Sequence, residues 1–433
     1  MKPSYVRYSL LKSIDFMAQN LDQFVKRPGA DFVRNRKCPF STLLLFLLQM
    51  EAHSLDKEIR NYFPKPASRI TKSGLIQQRQ KLNDSALPFL FSELNRRIPL
   101  KRKYKNHFVF GVDGSATNIP FLGSDSSTQI PSNTPNVNYA QNHINVVFDV
   151  MNCRFLDVLI QPGSEKNERE AFLTFLSRFS EPENSIFVAD RGYASINVLA
   201  HLSQSGHSFL FRMKTPDTKP NFLSRFALPD DTEFDIPLEF TITRSQKKVY
   251  KEDPSHYVCL RCDRRFDFIE PGDTKSLLRL AFRLVKIQLS EDNSEYLITN
   301  LSPEEFSRAD LKELYRLRWG VETAFRSLKY HAALTSFHSV RRDFIMQEIY
   351  ARIILYNFTT MIMNCIPVTQ KEGKVKKVSF SNAVDICRDF ISHRIINEEI
   401  KEILCRYLTE VRPGRTFERK IRSKRVVPMT YRP

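Results

Sequence analysis

Two aspartates and one glutamate stand where side chains could do chemistry. Asp113 ends the apolar run FVFGVD and Asp190 ends SIFVAD. Short runs of Phe, Val and Ile closed by turn-formers read as strands. A carboxylate at such an end leaves the sheet at its rim, where α/β sheets commonly bind ligands. Glu322 lies in a segment of helical periodicity that begins near Ala309. At about 100° per residue, Tyr315, Arg318, Glu322 and Lys329 share a stripe only about 60° wide. Leu314, Leu317, Val321, Phe325 and Leu328 fill the neighbouring sector, so the polar stripe borders the buried edge. Three carboxylates brought together suit Mg²⁺ or Mn²⁺ rather than zinc. Two such ions can clamp the attacking and leaving oxygens of a phosphodiester. Each feature alone has an ordinary explanation, turn chemistry for either aspartate and a solvated face for the helix. Their joint occurrence points to chemistry.

The elements that must position these groups follow from the pattern along the chain. Residues 1–103 read as a helical amino-terminal domain, with an apolar helix around Leu43–Met50, Ser54 as a helix cap, and an amphipathic stretch over Ser73–Ile98. This segment ends in the basic run Arg96, Arg97, Lys101, Arg102, Lys103 and Lys105, which either grips DNA or is a solvated linker. Strands then follow at Phe108–Val112, Ile144–Val150 and Phe155–Ile160. A helix at Glu168–Phe179, a strand at Ser185–Ala189, a helix at Ser195–Ser205 and a strand at Ser208–Met213 continue the chain. Three strands, then helix, strand, helix, strand, match the order of a ribonuclease H-like mixed sheet with flanking helices. The expected architecture is therefore α/β, with a first part of the catalytic core at 104–213 and a β-rich insertion at 214–280. The second part, at 281–365, carries the long helix, and a basic helical carboxyl region spans 366–433. Gly320 in mid-helix, costing about 1 kcal/mol relative to Ala, suggests close packing or ligand approach there. Trp319, two residues before Val321, is expected in the core, with stacking on an unpaired base as the alternative.

The segment Tyr315–Lys329 has the form Y, two residues, R, three residues, E, six residues, K. It resembles the signature helix of the insertion-sequence-four family of bacterial DDE transposases. VDGS at Asp113 and ADRGY at Asp190 resemble that family's two aspartate motifs, and QPGSEKNERE at Gln161–Glu170 resembles the segment before its second aspartate. The likeness covers roughly residues 104–345. It implies that Asp113, Asp190 and Glu322 are catalytic metal ligands for Mg²⁺ or Mn²⁺, as two ions. It also implies that Tyr315, Arg318 and Lys329 contact phosphates near a cleaved transposon end, with Arg191 beside them. The implied partner is double-stranded DNA, both terminal inverted repeats and target, engaged by a dimer. Cut-and-paste movement through a hairpin intermediate is the implied route. A related nuclease without strand transfer, or a domesticated DNA-binding protein without activity, are the rival readings. The intact acids argue against the second.

Composition is consistent with this. Lys and Arg exceed Asp and Glu by 66 to 48, a net charge of +18, which favours a polyanionic partner. Ser41–Met50 is half a bilayer crossing, and Phe344–Ile366 carries Glu348 and Arg352 in its middle, so both are expected as buried helices rather than membrane spans. The first ten residues lack a signal-peptide core, so a bacterial cytoplasmic, nucleoid-associated protein is expected. Seven scattered cysteines suggest no disulfide framework. Cys259 and Cys262, with His256 near, lack a fourth zinc ligand and read as strand cysteines. The carboxyl-terminal run Arg412, Arg415, Arg419, Lys420, Arg422, Lys424 and Arg425 is either a phosphate-binding segment or a solvated tail.

Overall fold

The apolar periodicity of the first hundred residues folds as helices α1 (Pro3–Gln19), α2 (Phe40–Gln49), α3 (Leu55–Tyr62), α4 (Lys72–Lys81) and α5 (Ala86–Arg97). The computed structural model describes residues 1–34, 36–121, 125–131, 139–179, 184–218, 222–290, 293–367, 369–371, 374–411 and 430–432. The stretch expected as one helix over Ser73–Ile98 is two. Leu82 is extended, and the Asn83 side chain accepts bonds from the backbone N–H and hydroxyl of Ser85, a local turn that competes with the helix. Ser54 stands at the start of α3, but its side chain makes no capping bond.

The strands that follow are β1 (Phe108–Ile119), β2 (Gln129–Ile130), β3 (Tyr139–Asp149) and β4 (Arg154–Pro162). Helix α6 (Glu168–Arg178), strand β5 (Ser185–Ala189), helix α7 (Ile196–Gln204) and strand β6 (Ser208–Met213) come next. The segment after β6 contributes β7 (Phe234–Thr243), the short α8 (Lys248–Lys251) and β8 (Tyr257–Cys259), before β9 (Leu277–Ser290) and β10 (Asn293–Thr299). One large mixed sheet takes them all, in the order β2-β3-β1-β5-β6-β10-β9-β7-β8, with β4 on β3. The strands between 214 and 280 thus extend the sheet that carries the aspartates. Cys259 ends β8, and both it and Cys262 are free thiols.

Helices α9 (Arg308–Leu317) and α10 (Trp319–Tyr330) lead through β11 (Ser336–Phe337) to α11 (Arg342–Met363). The rest is not wholly helical: β12 (Thr369–Lys371), β13 (Lys374–Val378) and β14 (Leu408–Glu410) form a small sheet around α12 (Phe380–Ile391) and α13 (Ile400–Cys405), while β15 (Thr430–Tyr431) pairs with β11. The basic run Arg412–Arg425 lies outside the described residues.

Alternation along the strands puts two cores on the two faces of the sheet. Phe110, Val112, Phe187, Phe209 and Phe211 pack with Phe172 of α6 and Leu199 of α7. Val109, Ile186, Val188 and Leu210 pack with Val321 of α10 and with α11, which joins the amino-terminal helices. Among the described residues no helix is long and apolar enough to cross a membrane. Of the charges inside α11, Glu348 is paired and Arg352 donates to the Glu51 carbonyl. Arg79 of α4 lies 2.9 Å from Glu348, and both are almost fully buried. Arg79 also donates to Gln347 and to the Phe344 carbonyl, while His338 Nδ1 and backbone N–H reach Glu348 Oε2.

This network predicts a pH signature. Burial opposes the Glu348 charge, but Arg79 and His338 outweigh it and hold the carboxyl down at about 2, below its ordinary 4.5. A carboxylate depressed on folding adds stability that is complete above its unfolded value and lost as pH falls toward its folded one. Glu348→Gln, which leaves Arg79 without a counter-charge, should therefore destabilise the protein by about 3–5 kcal/mol at neutral pH. Urea unfolding at stepped pH should also show a shallower loss of stability between pH 4.5 and about 2 than in wild type. Equal pH slopes would remove Glu348 as the linked group.

Candidate active site

Strand β1 does not end at Asp113, as expected from its sequence, but runs on to Ile119. Its antiparallel pairing with β3 continues to Ile119–Ala140, whereas its parallel pairing with β5 stops at Val112–Ala189. Asp113 therefore sits in mid-strand at the point where β5 has finished, and Asp190 follows Ala189 on the neighbouring strand. The two aspartates meet at one rim by register.

Helix α10 lies over that rim because of a glycine. A Cβ on Gly111 would stand 2.3 Å from Cγ2 of Val321, so only a bare backbone allows the helix this close. Gly320, the glycine expected to mark close packing, does not: a Cβ there would meet Val150 and Phe148 at ordinary contact distance. Val109, Gly111, Asp113 and Ser115 share the face that α10 covers, as the two-residue period requires.

Arg318 is the junction between α9 and α10, where the expected single helix is interrupted. Its N–H bonds to the Tyr315 carbonyl and its carbonyl accepts from Val321, three-residue spacings that tighten the turn. The guanidinium is buried. Nη2 donates to Glu322 Oε1 at 3.0 Å and Nη1 stands 3.8 Å from Asp113 Oδ2. The Tyr315 hydroxyl donates to Asp190 Oδ1 at 3.4 Å, and the Arg191 N–H donates to the same oxygen at 2.7 Å. The stripe read from the sequence thus reaches all three acids. Lys329 reaches the sheet as well: Nζ donates to Ser115 Oγ and to the Ala116 carbonyl, both at 2.7 Å, so its ammonium is engaged by β1. Trp319 corrects its expectation, being 44% exposed rather than in the core. Its indole lies 5.3 Å from the Arg318 guanidinium, and Tyr315 holds the other ring contact at 5.5 Å.

Burial pushes the Asp113 carboxyl up to about 6, and the Glu322 and Glu168 charges add to this. The Gly114 N–H, which donates to Asp113 at 2.9 Å, and Arg318 act against it. Burial also opposes the Arg318 charge, but Tyr315, Asp190, Asp113 and Glu322 overcome it and keep the guanidinium protonated. Among the described residues no three acidic, histidine or cysteine side chains stand close enough to hold a metal ion between them. Arg318 supplies the positive charge among the acids in this arrangement.

Beside the acids opens a cavity of about 400 Å³ lined by Asp190, Arg191, Arg212, Glu295, Trp319 and Glu322, among others. Arg212 of β6 and Glu295 of β10, 3.4 Å apart across paired strands, were not foreseen from the sequence, which shows no local motif around either. Also unforeseen are His143 and Glu168, 3.0 Å apart at the same rim. Glu168 lies inside the quoted QPGSEKNERE segment, which was the available signal. Of the basic run before β1, Arg96 and Arg97 contact Glu93, and Lys105 contacts Asp310 at 2.7 Å, so part of that charge is taken up within the fold.

Residues 109–358 match a protein family described as the transposase DDE domain. Among similar proteins, the transposase for insertion sequence element IS1151 of Clostridium perfringens is 22% identical over 84% of this chain and 81% of its own length. The transposase for insertion sequence element IS231E of Bacillus thuringiensis subsp. finitimus is 21% identical over 60% of this chain, which spans 58% of that relative. Among solved structures, the piggyBac transposase synaptic complex with hairpin DNA matches with a TM-score of 0.46 and 10% identity, over 97% of this chain and 88% of that one.

The geometry makes Arg318 a partner whose loss is felt through its acids. Arg318→Ala should lower stability by roughly 1–3 kcal/mol by leaving the half-buried Asp113 and Glu322 without their counter-charge. Adding Asp113→Asn should recover part of that loss, because the neutral amide no longer needs the guanidinium. Strictly additive unfolding energies in the double variant would show that the two groups do not interact.

Proposed function

This chain belongs to the DDE transposase family, and we propose that it cleaves and rejoins DNA at the terminal inverted repeats of an insertion sequence through Asp113, Asp190 and Glu322. The observation that carries this reading is that residues on either side of the α9–α10 junction touch every acid: Arg318 joins Asp113 to Glu322 while Tyr315 holds Asp190. Strand, strand end and helix each contribute one carboxylate to one rim, which supports a ribonuclease H-like core. The Tyr, Arg, Glu and Lys spacing supports the insertion-sequence-four branch of the family.

Divalent metal use goes with the family in general; Mg²⁺ or Mn²⁺, as two ions, is the finer reading. The donor chemistry fits, since all three groups are carboxylates, and burial together with the Glu322 and Glu168 charges opposes ionisation of Asp113, a penalty that a bound cation would relieve. Bound there, such ions would polarise the phosphodiester and its attacking oxygen. The chain's own residues do the rest. Arg318 and Arg191 offer guanidinium forks to phosphate at the mouth of the cavity. Lys329 fixes β1 against α10, which keeps Asp113 and Glu322 in register. Trp319 presents an exposed ring on which an unpaired base can stack. Hydrolysis by water frees a 3′-hydroxyl, which then attacks target DNA. Double-stranded DNA is the partner, engaged by a dimer, with residues 1–103 and the basic carboxyl region as its flanking contacts.

Labelled terminal-repeat DNA supplied with a target plasmid and Mg²⁺ tests the proposal. Wild type should give cleaved ends and joined products. Glu322→Ala should keep its melting temperature and DNA binding while losing both products. Arg318→Ala and Lys329→Ala should weaken binding, with the salt slope reduced by about one for a lost phosphate contact. An unchanged slope for Lys329→Ala beside a reduced one for Arg318→Ala would assign Lys329 to holding β1 alone. Cleavage without joining would favour a nuclease, and near-wild-type cleavage by Glu322→Ala would overturn the assignment of the third acid.

A further inference from the structure

The segment QPGSEKNERE braces the two aspartate motifs. Gln161 Oε1 accepts from the Asn167 N–H and from Asn145 Nδ2, and Asn167 caps α6 by accepting from the Glu170 N–H. Arg169 Nε donates to the Gly192 carbonyl, which ties α6 to the loop after Asp190. Glu168, the first residue of the helix, is thereby held between the two motifs. A Cβ on Gly114, the residue after Asp113, would stand 3.1 Å from Glu168 Oε1, and one on Gly192 would stand 3.7 Å from Oε2.

His143 stands against this carboxylate. Its Nε2 lies 3.0 Å from Glu168 Oε1, and its ring is almost fully buried. The ring fits only because residue 114 is glycine, since a Cβ there would be 2.3 Å from Nε2. Helix α10 brings Glu322 over one face of the sheet. Helix α6, whose Phe172 packs on Phe187, brings Glu168 from the other. The Tyr193 hydroxyl is a second, independent observation at this rim. It is buried without a hydrogen-bond partner among the described residues, in the field of Glu168, Asp113 and Asp190. A phenol so placed can bond to a water carried in by a bound ion.

We propose that Glu168, beside His143, is a fourth carboxylate of the metal-binding rim, supplying an oxygen to a divalent ion held by Asp113 and Asp190 or to its bound water. This rests on the three-acid reading above and adds a residue to it. A carboxylate more or less changes the affinity of a hard-cation site through charge count alone.

Titration of the full-length protein with Mn²⁺, followed by the electron paramagnetic resonance of the free ion, tests this. Glu168→Gln keeps the shape and can still accept from His143, but has no charge. A metal role predicts that Glu168→Gln and Glu168→Ala both bind Mn²⁺ about 10–100-fold more weakly. Glu168→Asp, which keeps the charge, should retain more affinity than either, and Glu168→Gln should keep the wild-type melting temperature. A purely structural brace predicts wild-type Mn²⁺ affinity for Glu168→Gln, and that result would overturn the proposal. Asp113→Asn separates the two readings. If it loses Mn²⁺ while Glu168→Gln does not, only the fourth carboxylate fails; if it also binds as wild type, the three-acid centre fails with it.

Discussion

A guanidinium buried among carboxylates is the constraint around which this site is arranged. Taking Arg318 out of water is costly unless opposite charges meet it, and the charges that do so come from different elements. Asp113 lies on β1 and Glu322 on α10, so their shared partner joins sheet to helix. For α10 to lie close enough, residue 111 must have no side chain. For the helix to keep its direction, its ends must be held. At the start of α9, Ser307 and Asp310 form a reciprocal capping box, and near the end of α10 Lys329 is bonded to β1. The tightened turn at Arg318 then aims the guanidinium at the acids.

Much of this was legible in the sequence because the signals were local. Strands β5 and β6 end where their apolar runs end, and the Tyr315, Arg318, Glu322 and Lys329 stripe faces the sheet as its spacing requires. What failed depended on partners that are distant in sequence. Asp113 looked like a strand end because Gly114 and Ser115 follow it, yet β3 continues the pairing past the point where β5 stops. Gly320 drew attention by lying within a helix, whereas the glycine that the packing requires is Gly111, in a strand where nothing nearby announces Val321. Trp319 was placed in the core by its nearness in sequence to Val321, yet two residues are about 200° apart on a helix, which turns the indole away from the buried sector. His143 and Glu168 meet only because β3 and α6 converge on Gly114, a contact with no short-range trace.

The crowding of the acids explains why the rim needs several positive groups. A basic chain of net charge +18 attracts polyanions overall, yet the rim itself gathers Asp113, Asp190, Glu322 and Glu168. Phosphates brought there add charge of the same sign at short range, where screening by salt is weakest. Arg191, Arg212 and Arg318 line the adjoining cavity and offset that repulsion. Arg318 is the one among them already committed to acids on two elements. Its charge is shared between Asp113 and Glu322, so a phosphate that reaches it competes with those carboxylates for the same cation. Arg191 differs: its backbone N–H serves Asp190 while its exposed side chain remains directed to solvent, so it can meet an anion without disturbing the acids. The site thus holds two kinds of arginine. One couples the state of the carboxylates to whatever anion arrives, and the other draws the anion in.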